Sequence, residues 1–174
     1  MAEQRVFFGL RPARATREAL LALPRDLGIE SGRLQHVDDV HMTLVFIGQV
    51  EEACLSRLRE LAIGVSGARV ELNMDRLEYW RRPRIACAGL SSPPPALLDL
   101  QRRLARTLRD AGFVIESRAY RPHVTLVRKA PPFEAIPIEK PLHWNADRFL
   151  LYASVSDGRL PRYRPIETFS LGGS

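Results

Sequence analysis

Lysine is nearly missing from this chain. Lys129 and Lys140 are the only two in 174 residues, so arginine supplies almost all of the 26 Lys+Arg side chains behind a net charge of +6. Arginine offers a planar fork of donors suited to phosphate, which hints at a polyanionic partner. A GC-rich genome that favours arginine codons accounts for the composition equally well. Cysteine is also scarce: Cys54 and Cys87 stand far apart with no CxxC, which argues against a disulfide framework and against a zinc site. No apolar run nears the roughly 20 residues a membrane-crossing helix needs. The opening MAEQRVFFGLRP lacks the charged-then-apolar layout of a secretory signal. Low-complexity segments and heptad arrays are absent too. A cytoplasmic protein with reduced thiols and no membrane association is expected.

What is present suits one globular unit. Hydrophobic residues make up 45% and charged residues 26%, an ordinary balance for a single domain over residues 1–174. QRVFFGL at 4–10 reads as a first strand. Pro12 opens a helix to about Leu27, with Leu20, Leu23 and Leu27 as its inner stripe. A short strand is expected near 33–37. After Glu51 and Glu52 a second helix takes its period from Cys54, Leu58 and Leu61. Residues 68–80 and 84–90 read as a strand pair around a basic turn. The clearest helix aligns Leu97, Leu100, Leu104, Leu108 and Ala111 on one face and stops at Gly112. A Pro-rich loop at about 130–141 and two strands near 146–155 and 163–171 complete an α+β pattern with mostly antiparallel sheet.

Within that pattern one phrase is written twice: HMTLV at 41–45 and HVTLV at 123–127. Side chains alternate across a strand, so positions i and i+2 share a face. His41 and Thr43 therefore share one face and Met42, Leu44 and Phe46 the other. In the second copy His123 and Thr125 oppose Val124 and Leu126. Each strand offers an imidazole and a hydroxyl opposite an aliphatic face. One such strand is ordinary; two in comparable parts of a small chain suggest two halves of one site. His36, just before Asp38 and Asp39, and His143, beside Trp144, lack this context and read as surface or packing residues.

Two imidazoles and two hydroxyls, with no nucleophile triad, suit acid–base displacement at phosphorus. One histidine takes a proton from water and the other gives one to a leaving oxygen. The hydroxyls hold non-bridging phosphate oxygens as charge builds there. The near-symmetry of the motifs leaves open which histidine is acid and which is base. No cofactor or metal is implied, since Asp38 and Asp39 alone do not make a metal site.

HMTL and HVTL match the paired His-x-Thr-x motifs of the 2H phosphoesterase superfamily. With RVFFGLRP, DDVHMTLVFIGQV, YRPHVTLVRKA and FLLYASVSDGRLPRYRP, the chain from about 5 to 170 resembles the bacterial RNA 2′,3′-cyclic phosphodiesterase branch, also called the 2′-5′ RNA ligase family. The resemblance implies two pseudo-symmetric lobes with outer helices and an active site in the cleft between them. It implies metal-independent opening of a 2′,3′-cyclic phosphate at an RNA end to a 2′-phosphate. It makes His41 the proton donor and His123 the proton acceptor, with Thr43 and Thr125 as phosphate-holding hydroxyls. It adds Arg128, five residues after the second histidine. Strict alternation turns Arg128 to the buried face, so that role needs a bulge or the strand's end. Phe7 or Phe8 is a candidate to stack on the terminal base, with one of the two expected in the core. The enzyme is expected to work as a monomer.

Other readings remain open on sequence alone. The same proton transfers run backwards join a cyclic phosphate and a 5′-hydroxyl into a 2′-5′ linkage. An idle RNA-end binding module would use the same cleft, although both histidines and both threonines are intact. The basic turn Arg81, Arg82 and Arg84, and Arg118, Arg121, Arg128 and Lys129 around the second motif, are expected to line the approach to the cleft.

Overall fold

A computed structural model describes residues 3–172. Among the described residues nine strands form one sheet. These are β1 (Glu3–Leu10), β3 (Met42–Glu51), β4 (Val70–Trp80), β5 (Ile85–Gly89), β6 (His123–Arg128), β7 (Ile136–Ala146), β8 (Arg148–Ser154) and β9 (Tyr163–Ser170), with the two-residue β2 (Arg33–Leu34) added on β6. Every pairing is antiparallel. Three helices, α1 (Arg14–Asp26), α2 (Cys54–Ile63) and α3 (Pro95–Asp110), give their apolar side chains to one common core. The architecture is the α+β arrangement expected.

The two motif strands sit at the centre. β3 and β6 meet at a single register pair, Met42 with Val124, and the sheet runs outward from there as β1-β8-β9 on one side and β5-β4-β7 on the other. The lobes therefore do not coincide with halves of the sequence. The last two strands return to the N-terminal lobe, while residues 70–146 hold four strands of the other, to which β2 is added. Met42, Leu44, Val124 and Leu126 are buried in the helix-side core, which sets the histidines and threonines on the opposite face.

Several sequence expectations shift in detail. Residues 136–141, expected within the Pro-rich loop, instead open edge strand β7, which pairs only with β4. Pro137 and Pro141 are tolerated because an edge strand's outer N–H groups need no partner. Between the pairs Met74 with Leu142 and Arg76 with Pro137 the register slips, so part of the Pro-rich stretch bulges out of the ladder. Helix α2 buries Leu55, Leu58 and Ala62, one position round from the expected Cys54–Leu58–Leu61 stripe. Helix α1 buries Arg17, Leu20 and Pro24, while Leu23 and Leu27 only flank the core. Arg17 has a reason to be inside: its Nη1 donates to Val37 O at 2.9 Å and to Asp38 Oδ1 at 2.8 Å. Those bonds hold the turn leading into His41, and they keep the Asp38 carboxyl below its ordinary range. In α3 the expected Leu97, Leu100, Leu104 and Leu108 are fully buried, while Ala111, expected on the same stripe, is the half-buried cap after the helix. Among the described residues no helix is long and apolar enough to cross a membrane.

Candidate active site

Both histidines are oriented by the same device. The carbonyl of the residue two before each ring accepts from its Nδ1: Asp39 O lies 2.7 Å from His41 Nδ1, and Arg121 O lies 2.8 Å from His123 Nδ1. A carbonyl oxygen only accepts, so each Nδ1 carries the proton, and each neutral ring keeps its lone pair on Nε2. At His41 that lone pair accepts from Thr43 Oγ1 at 3.1 Å. His41, Thr43, His123 and Thr125 all line one cleft of about 710 Å³.

Alternation does not continue past the threonines, and the break brings further residues to the cleft. In the β1–β3 ladder Phe8 pairs with Val45 and Gly9 with Thr43, so Leu44 is an extra residue in β3. In the β5–β6 ladder Ala86 pairs with Val127 and Cys87 with Thr125, so Leu126 is an extra residue in β6. A bulge re-aims the side chains that follow it. Leu44 and Val45 are both buried, as are Leu126 and Val127, and the next residue in each strand, Phe46 or Arg128, lines the cleft. The bulge that Arg128 requires is therefore present, and it has a twin. Phe46 stands five residues after His41 as Arg128 stands five after His123, which is the sequence signal that could have found it.

Aromatic rings brace each imidazole. The His41 ring lies 4.7 Å from Phe7 and 4.8 Å from Tyr163, and Phe7 stacks on Tyr152 at 4.9 Å. The His123 ring lies 4.1 Å from Trp80. Trp80 pairs with Ile85 in the β4–β5 ladder as Tyr152 pairs with Phe7 in the β1–β8 ladder, so the two braces are register equivalents. Tyr120 ties the lobes together by donating to Thr43 O at 2.9 Å. None of Trp80, Tyr120, Tyr152 and Tyr163 stands out in the sequence as a site residue. Phe7 reaches the cleft. Phe8 does not: it lies wholly buried on the helix side against Phe149 and Phe169, because adjacent strand residues face opposite ways. A base has no access to the Phe8 ring.

Charge around the cleft also departs from expectation. Its arginines are Arg5, Arg33, Arg128 and Arg162, drawn from four separated segments. Of the exposed turn residues Arg81, Arg82 and Arg84, only Arg82 lines a cavity beside the cleft, and none lines the cleft itself. Arg118 and Arg121 border that cavity, where they pair with Glu116 and Glu78, while Lys129 is exposed past the end of β6. Burial pushes the His41 pKa down to about 4, and the charges of His123 and Arg128 add to that against the Asp39 carbonyl and carboxylate. His123 is lowered as well, chiefly by burial. Cys87, opposite Thr125, is buried in β5 with its thiol pushed up to about 12 by burial, which makes it a poor nucleophile. Among the described residues no three His, Cys, Asp or Glu side chains gather as a metal-holding set.

Known proteins resemble this chain over most or all of its length. The RNA 2′,3′-cyclic phosphodiesterase of Escherichia coli K12 is 30% identical over 172 residues, covering 97% of each sequence. The Bacillus subtilis protein of the same name is 29% identical over 147 residues, 78% of this chain and 79% of its own length. The crystal structure of E. coli LigT complexed with 3′-AMP matches at a TM-score of 0.88 and 29% identity, covering 99% of this chain and 100% of that one. The 2′-5′ RNA ligase superfamily model matches residues 29–158, and this chain belongs to that superfamily.

Proposed function

We propose that the chain hydrolyses 2′,3′-cyclic phosphate ends of RNA to 2′-phosphomonoesters, with His41 as proton donor and His123 as proton acceptor. The observation that carries this reading is the pair of Nδ1-anchored histidines, each with its threonine, on adjoining strands of one cleft. Water attacks phosphorus from the His123 side and gives its proton to Nε2. The P–O3′ bond breaks in line with the attack, and His41 delivers its proton to O3′. The Thr43 and Thr125 hydroxyls and the Arg128 fork take the growing charge on the non-bridging oxygens. The product keeps its phosphate on O2′, and solvent exchange resets the pair. Phe46, half exposed with the Arg5 guanidinium 4.8 Å over one face, offers a flat apolar wall to the terminal base. Two unpaired cysteines fit a reducing compartment such as the cytoplasm.

Electrostatics supports the division of labour through the residue two before each histidine. Both carbonyls favour a proton on their ring; the Asp39 carboxylate adds to that at His41, whereas the Arg121 guanidinium works against it at His123. In the free protein burial overrides Asp39 and leaves His41 neutral at pH 7. The phosphodiester anion reverses that balance by bringing a negative charge against both rings. The proton on the donor is therefore stabilised by the substrate.

A pH profile tests this directly. The competent form of the free enzyme carries one proton on the pair. Both folded pKa values lie below the ordinary value near 6.5, so that form is most populated on the acid side of neutrality. A bell in kcat/KM centred below about pH 6.5 is expected, its two limbs belonging to the coupled pair. As pH rises through the folded values the last proton leaves and kcat/KM falls. The kcat bell lies at higher pH, because bound phosphate raises both values. A kcat/KM optimum above neutrality, or one limb alone for a chemical step, counts against the two-histidine scheme.

A second test follows the product. An oligonucleotide ending in a 2′,3′-cyclic phosphate is incubated with EDTA in excess and the new end is resolved by chromatography against 2′- and 3′-phosphate standards. An unchanged rate and a 2′-phosphate end are expected. A 3′-phosphate, or activity lost to EDTA and restored by a divalent ion, overturns the mechanism.

A further inference from the structure

The brace on His123 is itself held by a carboxylate, Glu78, which does not line the cleft. Glu78 lies on β4 two residues before Trp80, on the same face. Its Oε2 accepts from Trp80 Nε1 at 3.0 Å and from Arg121 Nη2 at 3.4 Å, and its Oε1 accepts from Arg76 Nη1 at 3.4 Å. Both residues held by Oε2 act on His123. Trp80 packs against the ring at 4.1 Å, and Arg121 supplies the carbonyl that fixes its Nδ1. The Arg121 guanidinium also lies over the Trp80 ring at 4.3 Å, closing the triangle. With Arg121 over its ring and His123 against it, Trp80 is a wedge between two neighbours and not a free stacking platform for a base.

We infer that Glu78 is a positioning residue for the proton acceptor: it locks Trp80 and Arg121 together and so holds the His123 ring, in its Nδ1–H tautomer, at the angle the attacking water requires. Space for this carboxylate is built into the neighbouring strand. Gly89 pairs with Arg76 on one side and with His123 on the other, and a Cβ at Gly89 would stand 3.2 Å from Glu78 Oε1 and 3.3 Å from its Cδ. Glu78 is only 19% exposed, so its charge acts on His123 with little screening. The charged groups facing that ring are Arg121 from the segment before β6, Arg128 from β6, Glu78 from β4 and His41 across the cleft; the first two oppose a proton on it and Glu78 favours one.

The inference rests on His123 being the acceptor, and its test has one readout that needs no turnover. Nitrogen-15 NMR of the histidine rings gives the His123 tautomer and pKa in the wild type, Glu78→Gln, Glu78→Ala and Gly89→Ala. The wild type should show the Nδ1–H form. Glu78→Ala should mix the two tautomers, and both Glu78 variants should titrate at lower pH, since a negative charge has gone. In turnover, Glu78→Ala should lower kcat by about tenfold to a hundredfold with KM nearly unchanged, below the roughly 10²–10⁴ for losing a general base outright. Glu78→Gln keeps an acceptor for Trp80 and should recover part of kcat. Gly89→Ala, which keeps every charge but crowds the carboxylate, should lower kcat in the same sense by less. A folded Glu78→Ala protein with wild-type tautomer, pKa and kcat overturns the inference, as does a lowered melting temperature with those three unchanged. A change in KM alone also overturns it, by making Arg121 a substrate contact. A wild type inert on cyclic phosphates defeats the proposed function instead and leaves the NMR to decide the role of Glu78.

Discussion

His41→Ala and His123→Ala each cut turnover of an RNA 2′,3′-cyclic phosphate by about 10²–10⁴-fold, with folding retained. The fold survives because the core contacts at these positions belong to neighbours facing the other way: Val40, Met42 and Val124 are buried, whereas both imidazoles border the cleft. The two losses should differ in kind. A donor is needed only when the leaving oxygen is a poor leaving group. On a phosphodiester whose leaving group is a nitrophenolate, His41→Ala should recover most of its rate, while His123→Ala, still lacking a base for water, should not. Recovery in the opposite variant would swap the assignment. Near-wild-type rates in either folded variant on the RNA substrate would remove that histidine from the chemistry.

How much of this the sequence showed depends on the range over which each signal acts. Alternation is local, so the faces of His41, Thr43, His123 and Thr125 were readable from five residues apiece. Helix α3 was equally plain, because four leucines at helical spacing admit one buried face. The Phe7–Phe8 pair could be split in principle but not assigned, since nothing in the sequence says which face of a strand buried on both sides meets the helices. The pairing of β8 with β1 was not readable: strands more than a hundred residues apart carry no mark of their neighbour. The arginines of the cleft were hidden for the same reason. A run such as Arg81–Arg82 stands out in a sequence, whereas Arg5, Arg33 and Arg162 meet only after the sheet has formed. The Pro-rich β7 misled because proline argues against a central strand, and its place at the sheet edge is a property of the topology alone.

Arg128 is the site residue that alternation sent to the wrong face, and its replacement carries the other large expected effect. The Leu126 bulge delivers its guanidinium to the cleft, where Nη2 donates to Tyr163 Oη at 3.3 Å beside the His41 ring. That contact leaves most of the fork free for a phosphate, and a fork that gains a second parallel bond as charge builds stabilises the transition state more than the ground state. Arg128→Ala should lower kcat by about 10²–10³-fold, the range for removing one preorganised donor to developing charge. Arg128→Lys restores the charge but not the bidentate geometry and should recover only part of it. The same substitutions should separate in a pH profile. The Arg128 charge lowers the pKa of both histidines, so its removal raises both, and the kcat/KM bell of Arg128→Ala should move to higher pH while that of Arg128→Lys stays near the wild type. A folded Arg128→Ala enzyme with wild-type kcat would show that the bulge serves the sheet and not the phosphate. An unshifted bell alongside a large loss in kcat would mean that Arg128 acts on the substrate without setting the protonation of the histidines.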